Sequence, residues 1–531
     1  MTCYGWSLTA YAVTTNITTA ITAQQDINSG DVLNISDGAG SLQVGTDVPS
    51  VLLEGGGAVN IDVGAGRNLL NTSSGSAAAI QVNAIGGGTA VVVVNGTLGG
   101  GVGSGTQAVQ GLAGASLDLR IGEFGTVVGN IEIGSGTTSN YLELRNSFTG
   151  DLVLLGSSTI NFGSYTTPLI TGNVDAGGGA YTLTLGSNFN TGSTTGFANF
   201  GSATLAVGAN TFTLDEALTI SNVTLATGGS LAVTGAGSLA GALTVNGTNT
   251  LNLSVANSVT GNVTLGSNST LTFTGTSPTI GGNFAGGAND LTLGSNLDLA
   301  SISGTVAGFG TMDVNSRTFT VSKDASATTV AVSTGTLDLT TGNLTGAVTV
   351  SGAGTVSVAS GQSISSNLTL TGAGATVNVD GSVGGNLTAS GQAFTVGANG
   401  FDTSKFNGVT GTYGVITGGG NTIALDKAIT ATGLNLATGG SLAVTGSGSL
   451  AGALTVNGTN TLNLSVANSV TGNVTLGSNS TLTFTGTSPT IGGNFAGGAN
   501  DLTLGSNLDL ASISGTVAGF GTMDVNSRTF T

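Results

Sequence analysis

The stretch "TVNGTNTLNLSVANSVTGNVTLGSNSTLTFTG" occupies residues 244–275 and occurs again, without a change, at 455–486. Within it, the triplets "LNL", "VTL" and "LTF" alternate apolar and polar residues, and turns rich in Asn, Gly and Ser separate them. Alternation with a period of two is typical of a short strand with one buried face. Because Gly, Asn and Ser favour tight turns, the stretch predicts short strands joined by turns.

The strand triplets recur at a fixed spacing along the chain. They begin at Leu231, Leu251, Leu271 and Leu291, 20 residues apart each time. Such a period without any helical pattern predicts a β-solenoid, in which each repeat forms one coil. We therefore expect an all-β fold, a right-handed parallel β-helix with roughly 20 residues per coil and about 26 coils. The handedness is taken from other parallel β-helices.

The same spacing predicts which side chains share a column. We expect two buried columns and one outward column: Leu231, Leu251, Leu271 and Leu291; Val233, Leu253, Phe273 and Leu293; and, facing outward, Ala232, Asn252, Thr272 and Thr292. Asn283 falls where an apolar residue is expected. A slip of one residue, as in a β-bulge, would turn Phe284 inward instead, and likewise its copy Phe495.

Longer repeats contain these coils. Residues 225–320 match 436–531 with one difference, Ala236 against Ser447, and each 211-residue repeat consists of two diverged units of about 105 residues. We predict an N-terminal β-helix region of diverged coils at 1–209, a first repeat at 210–420 and a truncated second repeat at 421–531. The near identity suggests recent lengthening. Because 528–531 read "RTFT", which opens another unit at Arg317, we expect the natural chain to continue.

Charge and cysteine content narrow the function classes. The chain has 8 basic and 25 acidic residues and a net charge of −17. The basic residues are scattered singly, which argues against a cationic face for nucleic acid or anionic lipid. Cys3 is the single cysteine, so no internal disulfide forms. Ala10-Tyr11-Ala12 has the shape of a signal-peptidase site, and either a signal-peptide remnant or an ordinary solenoid leader fits it.

The residues available for catalysis are few. The chain contains no histidine, which excludes Ser–His–Asp and Cys–His systems and the usual zinc sites. Acids on neighbouring coils of a β-helix can face a groove and act on a sugar polymer or hold calcium. The candidates are Asp26, Asp31, Asp37, Asp47, Glu54, Asp62, Asp118, Glu123 and Glu132. Their spacings do not follow the 20-residue period, which favours solvated turn residues. We assign no catalytic, cofactor-binding or metal-binding residue and expect no cofactor.

Three further patterns could each indicate a binding site, but in each case an ordinary strand or turn accounts for the residues. "GGANDLTLG" at 286–294 departs from the calcium-binding nonapeptide in its fourth residue and in the position of its Asp. Thr270, Thr272 and Thr274 would suit an ice-binding face, but the neighbouring coils do not continue the ladder. Charged pairs recur at equivalent positions with changing sign, which predicts exposed turns: Asp215-Glu216, Lys323-Asp324 and Asp426-Lys427.

The phrases "SGDVLNISDGAGSLQV", "GSAAAIQVNA" and "GSNSTLTFTG" resemble the passenger domains of bacterial autotransporters and related β-strand-repeat surface proteins with a pectin-lyase-like parallel β-helix. The resemblance covers the whole chain without an invariant motif. It implies export through the outer membrane, display on the cell surface or release, and a role in adhesion or surface coating. A translocator domain would have to follow Thr531. The Asn-Pro motifs of the two-partner secretion branch and the residue clusters of the pectin-degrading branch do not occur in this sequence.

We therefore expect a non-catalytic β-helical rod of the adhesin or passenger type, at the cell surface or secreted. Its partners would be a host-cell or matrix surface, a polysaccharide, or other copies of the chain joined end to end or laterally. Nucleic acid is not expected as a partner. Contact with the outer membrane is expected only through the translocator. Two alternatives stay open: a self-assembling surface coat of the S-layer type, and a polysaccharide-active β-helix enzyme that uses the N-terminal carboxylates.

Overall fold

Short parallel strands stacked in coils account for the whole described chain. The computed structural model describes residues 14–17, 20–21, 23–28, 31–35, 41–45, 48–53, 59–74, 77–83, 89–100, 106–112, 114–134, 140–146, 148–161, 170–254, 258–274, 279–485 and 490–531. The fold is an all-β parallel β-solenoid of about 22 coils, with about 21 residues per turn and 3% helix. The predicted fold class is therefore confirmed. Cys3, the Ala10-Tyr11-Ala12 site, Asp37, Asp47 and Glu54 lie outside the described residues.

The chain divides into two compact units. The N-terminal unit consists of Met1–Thr264 and Thr274–Gly282, and the C-terminal unit of Leu265–Phe273 and Asn283–Thr531. The repeat boundaries at 210 and 421 rest on sequence identity and stay a prediction about domain organisation.

The described strands are numbered in chain order. Strands β1–β29 are Thr14–Asn16, Ala20–Ile21, Gln25–Ile27, Val32–Ile35, Ser41–Val44, Val51–Leu53, Val59–Val63, Asn68–Asn71, Ile80–Val82, Ala90–Val94, Thr97–Gly99, Gln107–Gly111, Leu117–Ile121, Thr126–Val128, Asn130–Ile133, Asn140–Leu144, Phe148–Thr149, Leu152–Leu154, Ser158–Asn161, Ile170–Thr171, Asn173–Asp175, Thr182–Leu185, Phe189–Asn190, Gly196–Ala198, Thr204–Gly208, Thr211–Leu214, Ala217–Leu225, Ser230–Val233 and Ser238–Leu253. Strands β30–β55 are Val263–Thr274, Phe284–Ala285, Leu291–Leu293, Leu297–Asp298, Val306–Asn315, Thr318–Val321, Ala325–Val332, Thr336–Leu339, Leu344–Val350, Thr355–Val358, Ser363–Ile364, Leu368–Leu370, Ala375–Val379, Ser382–Ser390, Phe394–Val396, Phe401–Asp402, Phe406–Gly419, Thr422–Leu425, Ala428–Leu436, Ser441–Val444, Ser449–Leu464, Val474–Thr485, Phe495–Ala496, Leu502–Leu504, Val517–Ala518 and Met523–Asp524.

In the N-terminal unit each early coil contributes one strand to each of three sheets. Sheet 1 contains β1, β4, β7, β10, β13, β16, β19, β22 and β25; sheet 2 contains β2, β5, β8, β11, β14, β17 and β20; sheet 3 contains β3, β6, β9, β12, β15, β18, β21 and β24. From β27 onward several strands run around a corner without ending. β27, for example, pairs with β29 on both sides of a register shift between Thr219 and Asn222.

Alternation along the strands builds the core. On sheet 1 the inward column contains Leu33, Ile61, Val92, Leu119 and Leu142, each at most 1% exposed. The residue after each of these lies on the outer face of its strand, and of these residues Glu143 is the one that is buried, at 9% exposure. Burial of this aliphatic column is the main stabilising contribution, since each fully buried side chain contributes about 1.5–3 kcal/mol. The period of two thus puts apolar groups inside and leaves polar groups on the surface of every coil.

The predicted columns are confirmed at their first step and shifted at a later one. Leu231 pairs with Leu251, and Ala232 pairs with Asn252, as expected. Leu271, however, pairs with Leu293 and not with Leu291. The turn accommodates two extra residues, and a shift of two keeps the same side chains inward. Coils of this length, and longer ones near the N-terminus, reduce the count from the expected 26 to about 22.

The inward slip predicted at Asn283 is confirmed in both copies. Phe284 and Phe495 are fully buried. The ring of Phe284 meets that of Phe309 edge to face, with the ring centres 5.0 Å apart, and Phe495 meets Phe520 in the same way at 5.1 Å. An aromatic stack therefore fills the core where Asn283 interrupts the aliphatic column.

Within the described ranges, four 3₁₀ turns form corners that the sequence did not predict. They span Thr191–Ser193, Leu299–Ser301, Thr403–Lys405 and Leu510–Ser512, and the Asn or Asp before each accepts a hydrogen bond from an amide of the turn. The ammonium group of Lys323 donates to the carbonyls of Ile302, Ser303 and Gly304 at 2.6–2.8 Å. Lys323 and Lys427, predicted as exposed turn residues, are only partly exposed, and their ammonium groups bond carbonyls of a corner.

Among the described residues, none of the helices has the length and apolar character needed to cross a membrane.

Candidate functional site

The candidate carboxylates are spread over several parts of the N-terminal unit. Glu123 lies in an exposed turn, and Asp31, just before β4, accepts a hydrogen bond from the Asn28 amide. The other four lie within strands: Asp26 in β3, Asp62 in β7, Asp118 in β13 and Glu132 in β15. The turn interpretation therefore fits the first two. The strand positions face outward, since buried residues flank Asp62, Asp118 and Glu132 on both sides and Asp26 is itself exposed.

Sheet 1 brings several of the charged groups together. Asp62 pairs with Val93, Val93 with Arg120, and Arg120 with Glu143, so these side chains form one outward column. Asp118 pairs with Tyr141 in the adjacent outward column. Since parallel in-register strands are about 4.8 Å apart, successive side chains of a column are in contact range. Asp26 and Glu132 lie apart, on sheet 3.

Two arginines in this cluster form ion pairs with a carboxylate two residues earlier in the chain, Arg120 within β13 and Arg145 just after β16. Arg120 binds Asp118 with two nitrogens, at 2.8 and 2.7 Å, and its guanidinium lies 5.5 Å from the centre of the Tyr141 ring. The Nε of Arg145 donates to Oε1 of Glu143 at 2.6 Å. Hydrogen bonding and the charge of the paired carboxylate raise the pKa of both guanidinium groups. The two arginines are therefore held in fixed orientations on the sheet surface.

A surface groove with a volume of about 360 Å³ lies beside these ion pairs. Its lining residues are Val93, Asn95, Arg120, Ile121, Gly122, Glu123, Phe124, Glu143 and Arg145. The turn after β13 forms one wall, and Phe124 on this turn is 74% exposed. A Cβ at Gly122 would overlap Oδ1 of Asn95, so glycine lets that side chain lie across the turn. The volume is within the usual range of small-ligand sites.

Catalysis in the groove would require a carboxyl group suited to proton transfer. Among the N-terminal candidates, burial raises the pKa of Glu132, which accepts a hydrogen bond from Gln107 at 3.0 Å. Glu132 lies on sheet 3, while the groove lies on sheet 1. The carboxylates that line the groove itself are Glu123 and Glu143.

The calcium-like segment at 286–294 and its copy at 497–505 have structural roles at a turn. Oδ1 of Asp290 accepts a hydrogen bond from the Thr311 amide of the next coil at 2.6 Å, and Asp501 accepts one from Thr522 at 2.8 Å. Within the described ranges, no three residues of the His, Cys, Asp and Glu types are grouped as a metal site would need.

The C-terminal unit contains a threonine ladder that was not predicted from the sequence. Its members pair in succession: Thr318, Thr336, Thr355, Thr376, Thr395 and Thr417. The steps between them range from 18 to 22 residues, so a search at a fixed 20-residue period does not align them. The outward Thr before a buried apolar residue, as in "TFTV" and "TLDL", is the signal that would have found the ladder.

The groove was also missed, although its signal is present. "LDLRI" and "NYLEL" carry charged or aromatic residues two apart, which places them on one face of a strand. Charged residues are only 6% of this chain, so their concentration at 118–145 stands out. The comparisons with family models, with curated proteins and with solved structures find no match for this chain. Its function is therefore inferred from the fold and from the groove.

Proposed function

We propose that this chain is a non-catalytic bacterial surface or secreted β-helical protein of the adhesin or passenger type, and that the groove on sheet 1 is its ligand site. Such a protein would be exported through the outer membrane and would bind a host-cell, matrix or polysaccharide surface. A β-solenoid serves many functions, so the fold alone does not decide between them.

The groove is the observation that carries this proposal. It combines two arginines, two glutamates and an exposed phenylalanine, in a chain whose outward columns elsewhere consist mostly of Thr, Ser, Asn and Ala. Aromatic and arginine side chains contribute most to binding sites, whereas uncharged hydroxyls that already face water contribute little. The neighbouring coils of the N-terminal unit would then hold this site in place.

Two experiments test the proposal. The first incubates the purified chain with polysaccharides, fixed cells and matrix proteins, and measures both retention and chemical change of the ligand. We expect retention, with no new reducing ends and no cleaved peptide; new reducing ends would instead support the carbohydrate-active alternative. The second treats intact producing cells with protease. Digestion of the chain on intact cells, or its recovery from the medium, is expected, and a chain found only inside the cells would refute the proposed location.

The self-assembling coat is tested with the same material. Ordered arrays at micromolar protein concentration in the presence of calcium would favour the coat. A chain that stays monomeric under these conditions favours the binding protein.

A further inference from the structure

We propose that the sheet 1 groove binds a neutral sugar unit of a polysaccharide, with Phe124 stacked on the sugar ring and the Arg145–Glu143 pair bound to two adjacent hydroxyls. This inference rests on the proposed function and specifies the chemistry of its ligand.

Charge balance points to a neutral ligand. The ionisable residues that line the groove are Arg120, Glu123, Glu143 and Arg145, whose formal charges sum to zero. The whole chain carries −17, which repels polyanions, while the two guanidinium groups disfavour a cation. A ligand without net charge avoids both penalties.

The hydrogen-bonding groups left open at the groove match hydroxyls. The ion pair uses Nε of Arg145 and Oε1 of Glu143. In the described ranges this pairing leaves the terminal nitrogens of Arg145 and Oε2 of Glu143 unused, and Glu143 is only 9% exposed. Donors and acceptors therefore lie side by side on planar groups of fixed orientation. Each sugar hydroxyl both donates and accepts, so two adjacent hydroxyls can satisfy one nitrogen and one carboxylate oxygen together.

Phe124 supplies the apolar part of the site. The large apolar side chains exposed within the described ranges are Val48, Phe124 and Val128, and of these only Phe124 is aromatic. A flat exposed ring suits the apolar face of a sugar, and covering it removes apolar surface from water. Stacking on a sugar would therefore explain why an aromatic ring is exposed at this turn.

The backbone at the groove disfavours an extended peptide as the ligand. A peptide that binds as an added strand needs unpaired backbone groups. Here the Gly122 amide donates to the Val94 carbonyl at 2.8 Å, and the Arg145 amide donates to the Ile121 carbonyl at 2.9 Å. The groove lies on the face of a continuous sheet, and these backbone donors are occupied by neighbouring coils.

The test measures binding of the full chain to a panel of neutral glucans, mannans, galactans and xylans, with uronic-acid polymers and unstructured peptides as comparisons. The variants are Phe124→Ala and Arg145→Gln, and the matched controls are Val128→Ala and Arg317→Gln, which change an exposed residue outside the groove. The Phe124 side chain makes little packing contact, so we expect the Phe124→Ala variant to fold normally.

We expect binding to at least one neutral glycan. Phe124→Ala and Arg145→Gln should each weaken it by about tenfold or more, and the controls by less than about twofold. Binding to a neutral glycan that is unchanged in both groove variants would overturn this inference and the assignment of the ligand site to the groove, but would leave a non-catalytic binding role intact. Binding only to uronic-acid polymers or peptides, or to no member of the panel, would also overturn it. Cleavage of the glycan would instead refute the non-catalytic function.

Discussion

Replacing Glu216 with lysine should stabilise the corner formed by Thr191–Ser193. Glu216 corresponds, at an offset of 211 residues, to Lys427 in the second repeat. The ammonium group of Lys427 donates to the carbonyls of Thr403 and Phe406 at 3.1 and 2.8 Å. Glu216 has no proton to donate when ionised. Its Oε1 is buried with no partner among the described residues, and burial, together with the charge of Asp215, raises its pKa.

The size of the effect follows from these contacts. A hydrogen bond to a charged group contributes about 1.5–3 kcal/mol when it is well buried. The Lys427 side chain is 32% exposed, so solvent screening reduces the contribution of its two bonds. We expect Glu216→Lys to add about 1–2 kcal/mol to the stability of the first corner. Lys427→Glu should remove a similar amount from the corner at Thr403–Lys405.

Native-state hydrogen exchange measures this effect locally, which suits a solenoid whose coils can open separately. The amide of Thr194 donates to the Thr191 carbonyl, and that of Phe406 donates to the Thr403 carbonyl. Protection should rise about 5- to 30-fold at Thr194 in Glu216→Lys and fall by a similar factor at Phe406 in Lys427→Glu. Unchanged or faster exchange at Thr194, in a variant that folds normally, would refute the account of the corners.

Three further predictions concern the core, a close backbone approach and a buried acid. Phe284→Ala should lower the free energy of unfolding by about 3–5 kcal/mol in denaturant titrations, whereas Phe124→Ala on the surface should change it by less than about 0.5 kcal/mol. Gly241→Ala should lower the thermal midpoint, because its Cβ would overlap a carbonyl oxygen of the preceding coil; Gly201→Ala, with open space around it, should not. Burial raises the pKa of Glu132 above its ordinary 4.5. Ionisation of Glu132 therefore lowers the stability of the fold: the loss is negligible below pH 4.5 and grows as the pH rises through the folded-state pKa. Glu132→Gln should therefore melt above the wild type at pH 7 and together with it at pH 3.5, and a higher midpoint at both values would contradict the assignment.

The fold was predictable because the two-residue alternation of apolar and polar side chains recurs in strand after strand. Alternation in "LNL" and "LTF" identifies inward residues, and burial of Leu251 and Phe273 follows from it. Coil length was less predictable, since a turn can gain two residues without moving any side chain to the other face, as at Leu271 and Leu293. The 3₁₀ corners were missed because their Asn or Asp cap also fits an ordinary turn.

The groove was not predictable from spacing alone. Arg120 and Glu143 are 23 residues apart, and Val93 and Arg120 are 27 apart, so a uniform period does not place them in one column. Their alignment depends on the lengths of the intervening turns, which have no periodic pattern. The charged residues in "LDLRI" and "NYLEL" were visible in the sequence, but only the register of β10, β13 and β16 brings them together.

Disulfide trapping tests the stacking of coils most directly. Thr376 and Thr395 are paired on adjacent coils, and Thr417 lies one coil further on. Adjacent parallel strands are about 4.8 Å apart, within the range of a disulfide, whereas a separation of two coils is about 9.6 Å. With Cys3 replaced by serine, Thr376→Cys with Thr395→Cys should form a disulfide under mild oxidation, and Thr376→Cys with Thr417→Cys should not. A free thiol pair in the first double variant, or equal crosslinking in both, would contradict the parallel solenoid.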